Sequence, residues 1–416
     1  MPHSQNKPAQ FREGSPSALA LITVPPRPRM IVDRKWVQQN VGFDPIARPA
    51  PASTVAFAPA AKPSGSLDDI RREIIDFDSE GVEGSAFLAF TTATGLSRYT
   101  ELAWPKGLAP KTDTTVRKGV GGRLPRADVL VVTWTVDEGH ALSRVLTPGK
   151  DSRNDYRPYK RNFASISKRM RAGCPARNAG RLGSYWTCRI AGKRVVVFKS
   201  DSHMSQDGPE LPNIDVWAQI IDDVRPSLVI TTGTAGGIGK EFEVGDVIVS
   251  PVVRFDCTAK FKNKRVDGAR IATLHYENPA PKSTRLSAAR KLIRTNATQL
   301  PPANTRQPRI VRVKPNELNH SVVTTDFFGF DISDNHYKLR GLGFTCEMGD
   351  AVLGLVAERM GSSAPKWVAV RNVSDPQIKA EGTLKEQAQL AASIYKAFGR
   401  WSSVCSAIVC WALITG

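Results

Sequence analysis

The sequence predicts an α/β fold: a mixed, mostly parallel central sheet flanked by helices, preceded by a largely irregular N-terminal extension. Three observations carry this. Short apolar runs rich in β-branched residues, the signature of strands buried on both faces, recur from residue 128 onward. Helical stretches separate them, as crossovers between parallel strands require. A glycine cluster directly follows the third of these runs, where such folds present ligands at the carboxyl ends of their strands.

Residues 1–65 are rich in Pro and Ala, among them Pro25, Pro26, Pro28, Pro45, Pro49, Pro51, Pro59 and Pro63, and show no sustained periodicity. They read as disordered. A short helix is predicted over 66–77, capped by Ser66, with Ile70, Ile74 and Ile75 on one face. The whole of 66–125 reads as an N-terminal extension that docks on the main domain, 126–416. Within that domain strands are predicted at 128–133, 195–198, 228–232, 247–250 and 368–371, with helices at 213–224, 349–360 and 385–401. The basic, turn-rich segment 260–312 reads as an elaboration between core strands.

The 416 residues carry a net charge of +19, unevenly spread. Residues 151–200 hold 13 Lys and Arg against 2 Asp and Glu, and residues 255–320 hold 14 against 4. Such runs suit a phosphorylated ligand, nucleic acid or an anionic surface, or are simply solvated faces. The aromatics that would favour nucleic acid are sparse, with Tyr156, Tyr159 and Phe163 the nearest, and no base-reading motif is present. Nucleic acid is therefore the weaker reading. The six cysteines (Cys174, Cys188, Cys257, Cys346, Cys405, Cys410) form no Cys-x-x-Cys pair, which fits free thiols in a reducing compartment. The N-terminus lacks an apolar secretory core, and the apolar run 404–414 is too short for a bilayer and is broken by Ser406. It reads as a buried last helix, so the expected location is the cytoplasm, with no membrane partner. His140 and His275 lack neighbours at ligand spacing, so no metal and no cofactor are expected. His203 and Met204 follow the 195–198 strand toward the cleft, His203 in a structural role.

The chemistry lies in six blocks. Gly233-Thr-Ala-Gly-Gly237 allows close backbone approach to a ligand, although its spacing is not that of a Walker loop. Val244-Gly-Asp-Val-Ile-Val-Ser250 follows within a few residues. Together with Asp128–Leu142, Thr324-Thr-Asp-Phe-Phe328, Cys346-Glu-Met-Gly-Asp350 and Val373-Ser-Asp375, these motifs resemble the nucleoside phosphorylase superfamily, most closely its methylthioadenosine/S-adenosylhomocysteine nucleosidase branch. The resemblance covers roughly 127–412.

It implies scission of an N-glycosidic bond in a purine nucleoside or nucleotide, by an enzyme that is at least a dimer. Asp375 is then the acid that protonates the departing base, and Glu138 positions the attacking water. Phe328 stacks on the purine, while Phe327 serves the core. Gly233, Thr234 and Gly236 form the loop that meets ribose or water, and Glu347, Met348, Asp350 and Ser374 complete the binding set. Cleavage develops oxocarbenium character on the sugar and negative charge on the base, so the acid needs a pKa near working pH. Structural alternatives stand beside each role: a helix N-cap for Asp375, a first-turn helix carboxylate for Glu138, a core aromatic for Phe328.

The pattern departs in two places. The family's second ribose-gripping glutamate is replaced by Gly349, followed by Asp350. Thr231 and Thr232 stand where phosphate-using members commonly place an arginine, which removes a charge-assisted contact to phosphate and favours water. The leading reading is thus a purine nucleosidase acting on an adenine nucleoside or nucleotide; the alternatives are a phosphate-dependent phosphorylase and a purine-binding sensor or effector without turnover. Lys160, Arg161, Lys168, Arg169 and Arg171, if they lie near the ribose 5′ end, select a nucleotide such as AMP or ATP.

Overall fold

The computed structural model describes residues 102–115, 120–171, 174–202, 212–256, 273–275, 283–296, 306–325 and 329–416. The predicted disordered segment 1–65, the predicted helix 66–77, His203, Met204, Cys257 and both Phe327 and Phe328 lie outside these residues.

The strands are β1 (Lys111–Thr112), β2 (Val129–Thr133), β3 (Arg157–Tyr159), β4 (Gly183–Ile190), β5 (Lys193–Ser200), β6 (Leu228–Gly237) and β7 (Val247–Ser250). They continue with β8 (Val252–Asp256), β9 (Thr273–His275), β10 (Ile310–Arg312), β11 (Ser321–Thr325), β12 (Gly343–Glu347) and β13 (Lys366–Asp375). The longer helices are α1 (Val136–Leu146), α2 (Asn213–Val224), α3 (Ser283–Thr295), α4 (Asp350–Met360) and α5 (Leu384–Thr415). All thirteen strands join one mixed sheet. Its centre is parallel: β5, β2, β6 and β13 lie side by side in that order. β6 then forks. Leu228 to Gly236 follow β13, while Gly236 and Gly237 also pair antiparallel with Cys346 and Thr345 of β12, and β12 continues in parallel to β11 and β8.

This fork is where the structure differs most from the sequence reading. The glycine cluster, expected as a loop after residue 232, is the second half of β6. Glycines suit a strand that is approached from both edges and by side chains from a third direction. β13 likewise runs four residues past its predicted end, so that Asp375 is a strand residue facing Gly236. The N-cap alternative for Asp375 is thereby removed; the next helix starts at Leu384 and is capped by Thr383 with Glu386 in a capping box.

The Val-Gly-Asp motif has a structural task. Asp246, fully buried ahead of β7, receives both terminal nitrogens of Arg306 at 2.7 Å, the Arg309 backbone N–H at 2.8 Å and the Arg309 guanidinium at 3.0 Å. A buried carboxylate is tolerated only when paired in this way. The pairing pins the 306–309 segment so that β10 can lie parallel along β7.

α5 is far longer than the predicted 385–401 and absorbs the apolar run 404–414. Phe398–Thr415 is long and apolar enough to cross a membrane, yet most of it is buried inside the fold against β13, α1 and α3. Its serines explain the break in apolarity: Asn372, buried on β13, donates to Ser402 Oγ at 2.8 Å and accepts from Ser406 Oγ at 2.7 Å. The same helix receives the N-terminal segment. The Trp104 ring lies 5.1 Å from that of Trp411, and Trp411 Nε1 donates to the Leu108 carbonyl at 2.7 Å. Lys111–Thr112 extends the sheet on β4, and Leu124 is buried in the main core.

Candidate active site

At the carboxyl end of β2 the chain turns into α1 through Thr135, whose side chain caps the helix while Glu138, three residues on, bonds back to the cap. This capping box fixes the Glu138 backbone. Its carboxylate is then gathered in by five donors. Oε2 accepts from Thr133 Oγ1 at 2.8 Å, Trp134 N at 3.0 Å and Thr135 N at 2.9 Å. Oε1 accepts from Thr234 N at 2.7 Å and Thr234 Oγ1 at 2.6 Å. Glu138 is therefore a first-turn helix carboxylate, and its side chain also reaches across to the glycine-rich half of β6. Gly233 permits this contact. Its φ is +152°, and a Cβ there would stand 2.5 Å from the Glu138 carboxyl carbon. Burial opposes ionisation of Glu138, but Arg371 and the donors from Thr234 and Thr135 outweigh it and hold the pKa below the ordinary glutamate value.

Arg371 was not singled out from the sequence, although a charged residue inside the buried run Val368-Ala-Val-Arg371 is itself a signal. Its guanidinium is buried and binds Asp350 through two nitrogens, the Nε contact being 2.8 Å, with Glu347 Oε2 3.1 Å away. It also lies 4.6 Å from the centre of the Trp134 ring, an attractive cation–π arrangement. Neighbouring Asp350 and Glu347 raise its pKa further, against the effect of burial, so it stays charged. Glu347 accepts from Gly349 N at 2.6 Å and from Asp350 N at 3.0 Å, and from Thr324 Oγ1. Burial and the adjacent Asp350 push its pKa up.

Asp375 is different. Oδ1 accepts from Ser374 Oγ at 2.8 Å, whereas Oδ2, though buried, has no hydrogen-bond partner among the described residues. That oxygen lies over Gly236, 2.9 Å from where a Cβ would stand. Burial raises the Asp375 pKa to about 7, the Ser374 hydroxyl opposing it only in part. A buried carboxyl with an orphaned oxygen and a near-neutral pKa has the properties of a general acid.

The structure thus brings Glu138, Gly233 and Thr234 together, with Arg371, Asp350 and Glu347 beside them. Gly236, Ser374 and Asp375 lie two residues further along the β6–β13 pair, about 7 Å at the rise of a strand. Thr234 and Met348 are the partly exposed members of the set. Asp350, expected to meet a ribose diol, is instead wholly buried and directed to Arg371. The basic run fares differently from its expectation too. Arg161 is bound to Asp223 at the end of α2 that leads into the start of β6, the edge opposite Thr234, and Arg169 pairs with Asp215 at 2.6 Å. Of the thirteen Lys and Arg of 151–200, Arg161 and Arg169 thus meet aspartates of α2, which lies 13 or more residues beyond that run in the sequence, while Arg181 and Lys199 meet Asp201. Thr231 and Thr232 are buried within β6.

The sequence model of the phosphorylase superfamily matches residues 158–411. The chain belongs to this superfamily. Glu138 and β2 precede the matched region, and their place in the site rests on the geometry above. No curated protein sequence matches the chain. Among solved structures, it is similar to the 5′-methylthioadenosine/S-adenosylhomocysteine nucleosidase of Neisseria meningitidis in complex with methylthio-immucillin-A, at 17% identity and a TM-score of 0.41, covering 69% of this chain and 99% of that one. The corresponding enzyme of Colwellia psychrerythraea 34H, in complex with adenine, gives 18% identity and a TM-score of 0.41, covering 70% and 95%. The futalosine hydrolase of Helicobacter pylori strain 26695 gives 12% and 0.42, covering 69% and 96%. The family match, not these distant likenesses, carries the assignment.

Proposed function

We propose that the chain is a purine nucleosidase that hydrolyses the N-glycosidic bond of an adenine nucleoside or nucleotide. The observation that carries this reading is Asp375: a buried carboxyl, with one oxygen unsatisfied and a pKa of about 7, at the carboxyl end of a central strand. Its proton goes to the purine ring nitrogen as the C1′–N9 bond breaks, neutralising the charge that develops on the base.

Glu138 serves the other reactant. Its depressed pKa makes it a weak base, which suits a reaction whose oxocarbenium-like sugar accepts even a weakly activated water. All its lone pairs are engaged, so a water entering beside Thr234 takes over the place of the Thr234 hydroxyl on Oε1. Two of the five donors, Thr133 and Thr234, are hydroxyls that can rotate without moving the backbone, and of these Thr133 is fully buried while Thr234 is on the partly exposed side. The water then loses its proton to Glu138 once the C1′–O bond has begun to form.

Water is favoured over phosphate by the charge balance. Glu138, Glu347 and Asp350 surround a single guanidinium, Arg371, whose nitrogens are already engaged. A phosphate dianion entering there meets repulsion, with no unengaged cation beside it among the described residues of this cluster.

The test is free-base release from adenosine, methylthioadenosine, AMP and ATP, with and without phosphate. Adenine release independent of phosphate is expected. Release that requires phosphate and yields a sugar 1-phosphate would replace the hydrolase by a phosphorylase, and tight purine binding with no release would replace it by a sensor.

A further inference from the structure

A ribose brings two adjacent hydroxyls into a site of this kind, and the 2′-hydroxyl, next to the reacting carbon, is the one that must enter the closed end beside Glu138. Burying it without an acceptor is costly. The three carboxylates that flank Thr234 are all committed. Glu138 holds five donors, Glu347 holds Thr324, Gly349, Asp350 and Arg371, and Asp350 chelates Arg371.

The departure at Gly349 has a physical cause in Trp134. A Cβ on residue 349 would stand 3.0 Å from Trp134 Cε2, 3.1 Å from Cζ2 and 3.3 Å from Nε1, so the indole occupies the space that a side chain at 349 needs. Trp134 is not free to leave it. Its backbone N–H is bound to Glu138, its ring covers the Arg371 guanidinium, and its edge meets the Trp217 ring with centroids 5.8 Å apart. Where a longer polar residue at 349 would offer an acceptor, this chain offers the edge of an indole, two ring carbons and an Nε1–H that donates but cannot accept.

We infer that the Trp134–Gly349 pair adapts the site to a sugar lacking the 2′-hydroxyl, so that the preferred substrate is a purine 2′-deoxyribonucleoside or its nucleotide. The inference rests on the nucleosidase reading above. A methylene at C2′ packs against the indole carbons, whereas a hydroxyl there loses its water and finds no acceptor for its proton, the indole Nε1 being a donor only. The absent electron-withdrawing oxygen also eases formation of the oxocarbenium ion.

The experiment compares kcat/KM for adenine release from 2′-deoxyadenosine and adenosine, and from their 5′-monophosphates, with the dissociation constants of the same four compounds measured by calorimetry. Preference for the deoxy compound by about tenfold to a hundredfold is expected, the range by which a pocket without a polar partner rejects an added hydroxyl. In Trp134→Ala combined with Gly349→Glu, the ratio should move toward the ribosyl compound. Equal or faster release from adenosine by the wild-type protein overturns the inference and leaves the nucleosidase reading standing. If no base is released, the nucleosidase reading fails, and the binding constants decide: tighter binding of the deoxy compounds upholds the role of the pair, while equal, weaker or no binding of them overturns it.

Discussion

Replacing Asp375 by Asn tests the acid through stability as well as through activity. The group is buried, and its pKa in the folded chain is about 7 against an ordinary value of 3.8. Because the folded value is the higher one, the folded protein keeps a proton that the unfolded chain releases as pH rises. At low pH both states are protonated and the group has no effect. From the unfolded pKa upward, stability falls by about 1.4 kcal/mol per pH unit until the folded pKa is reached, and stays level beyond it. A gap of about 3 units corresponds to about 4 kcal/mol, fully felt above pH 7 or so. Asn keeps the shape and still accepts from Ser374, but it never ionises. Thermal melts of both proteins should therefore nearly coincide at about pH 4 and diverge toward about pH 8, the variant melting higher by on the order of 8 °C. Glu347, also raised, titrates in both proteins and cancels in the difference. The same variant should lose base release. A melting difference that does not change with pH would refute the assignment of a raised pKa to Asp375, and with it the argument for its role as acid.

Three further substitutions probe the neighbouring groups. Glu138→Gln should lower kcat by about 10²- to 10⁴-fold in steady-state assays of base release, and destabilise by about 1–3 kcal/mol in urea melts because an amide NH₂ then faces donors. Thr234→Val should lower kcat by about 10- to 100-fold with little change in melting temperature, since only the rotating hydroxyl is lost; unchanged turnover would remove Thr234 from the water site. Arg371→Met should cost about 3–5 kcal/mol in urea melts, because Glu347 and Asp350 are left buried without their cation. A loss below about 1 kcal/mol would contradict the geometry of that triad.

The parallel centre of the sheet was legible because β2, β5, β6 and β13 contain buried runs of Val and Ile, and α2 was read with its observed ends. Strand β4 was not: Gly183–Ile190 holds Tyr, Trp and Thr beside Gly and Arg, and although it forms a hairpin with β5, its other edge is covered by β3 and β1 from earlier in the chain. Glu138, Thr234 and Asp375 were singled out through motifs that resemble the family's, but a motif says nothing about what a carboxylate touches. The commitment of Asp350 to Arg371, and the indole of Trp134 in the space beside Gly349, depend on three separate elements meeting. The positive charge of 151–200 could be read as ligand-directed or as solvated faces because the partners of Arg161 and Arg169, namely Asp215, Asp222 and Asp223, lie in another segment, on α2. A sequence window records charge, not its pairing.

The central claim is that water, held between Glu138 and Thr234, attacks the sugar while Asp375 protonates the base. Carrying out the cleavage in ¹⁸O-labelled water and weighing the released sugar tests it most directly. One labelled oxygen in the sugar, appearing at the same rate whether or not phosphate is present and absent when Asp375 is Asn, is the predicted result. An unlabelled sugar 1-phosphate formed only with phosphate, or no sugar from any purine nucleoside or nucleotide, would contradict the account.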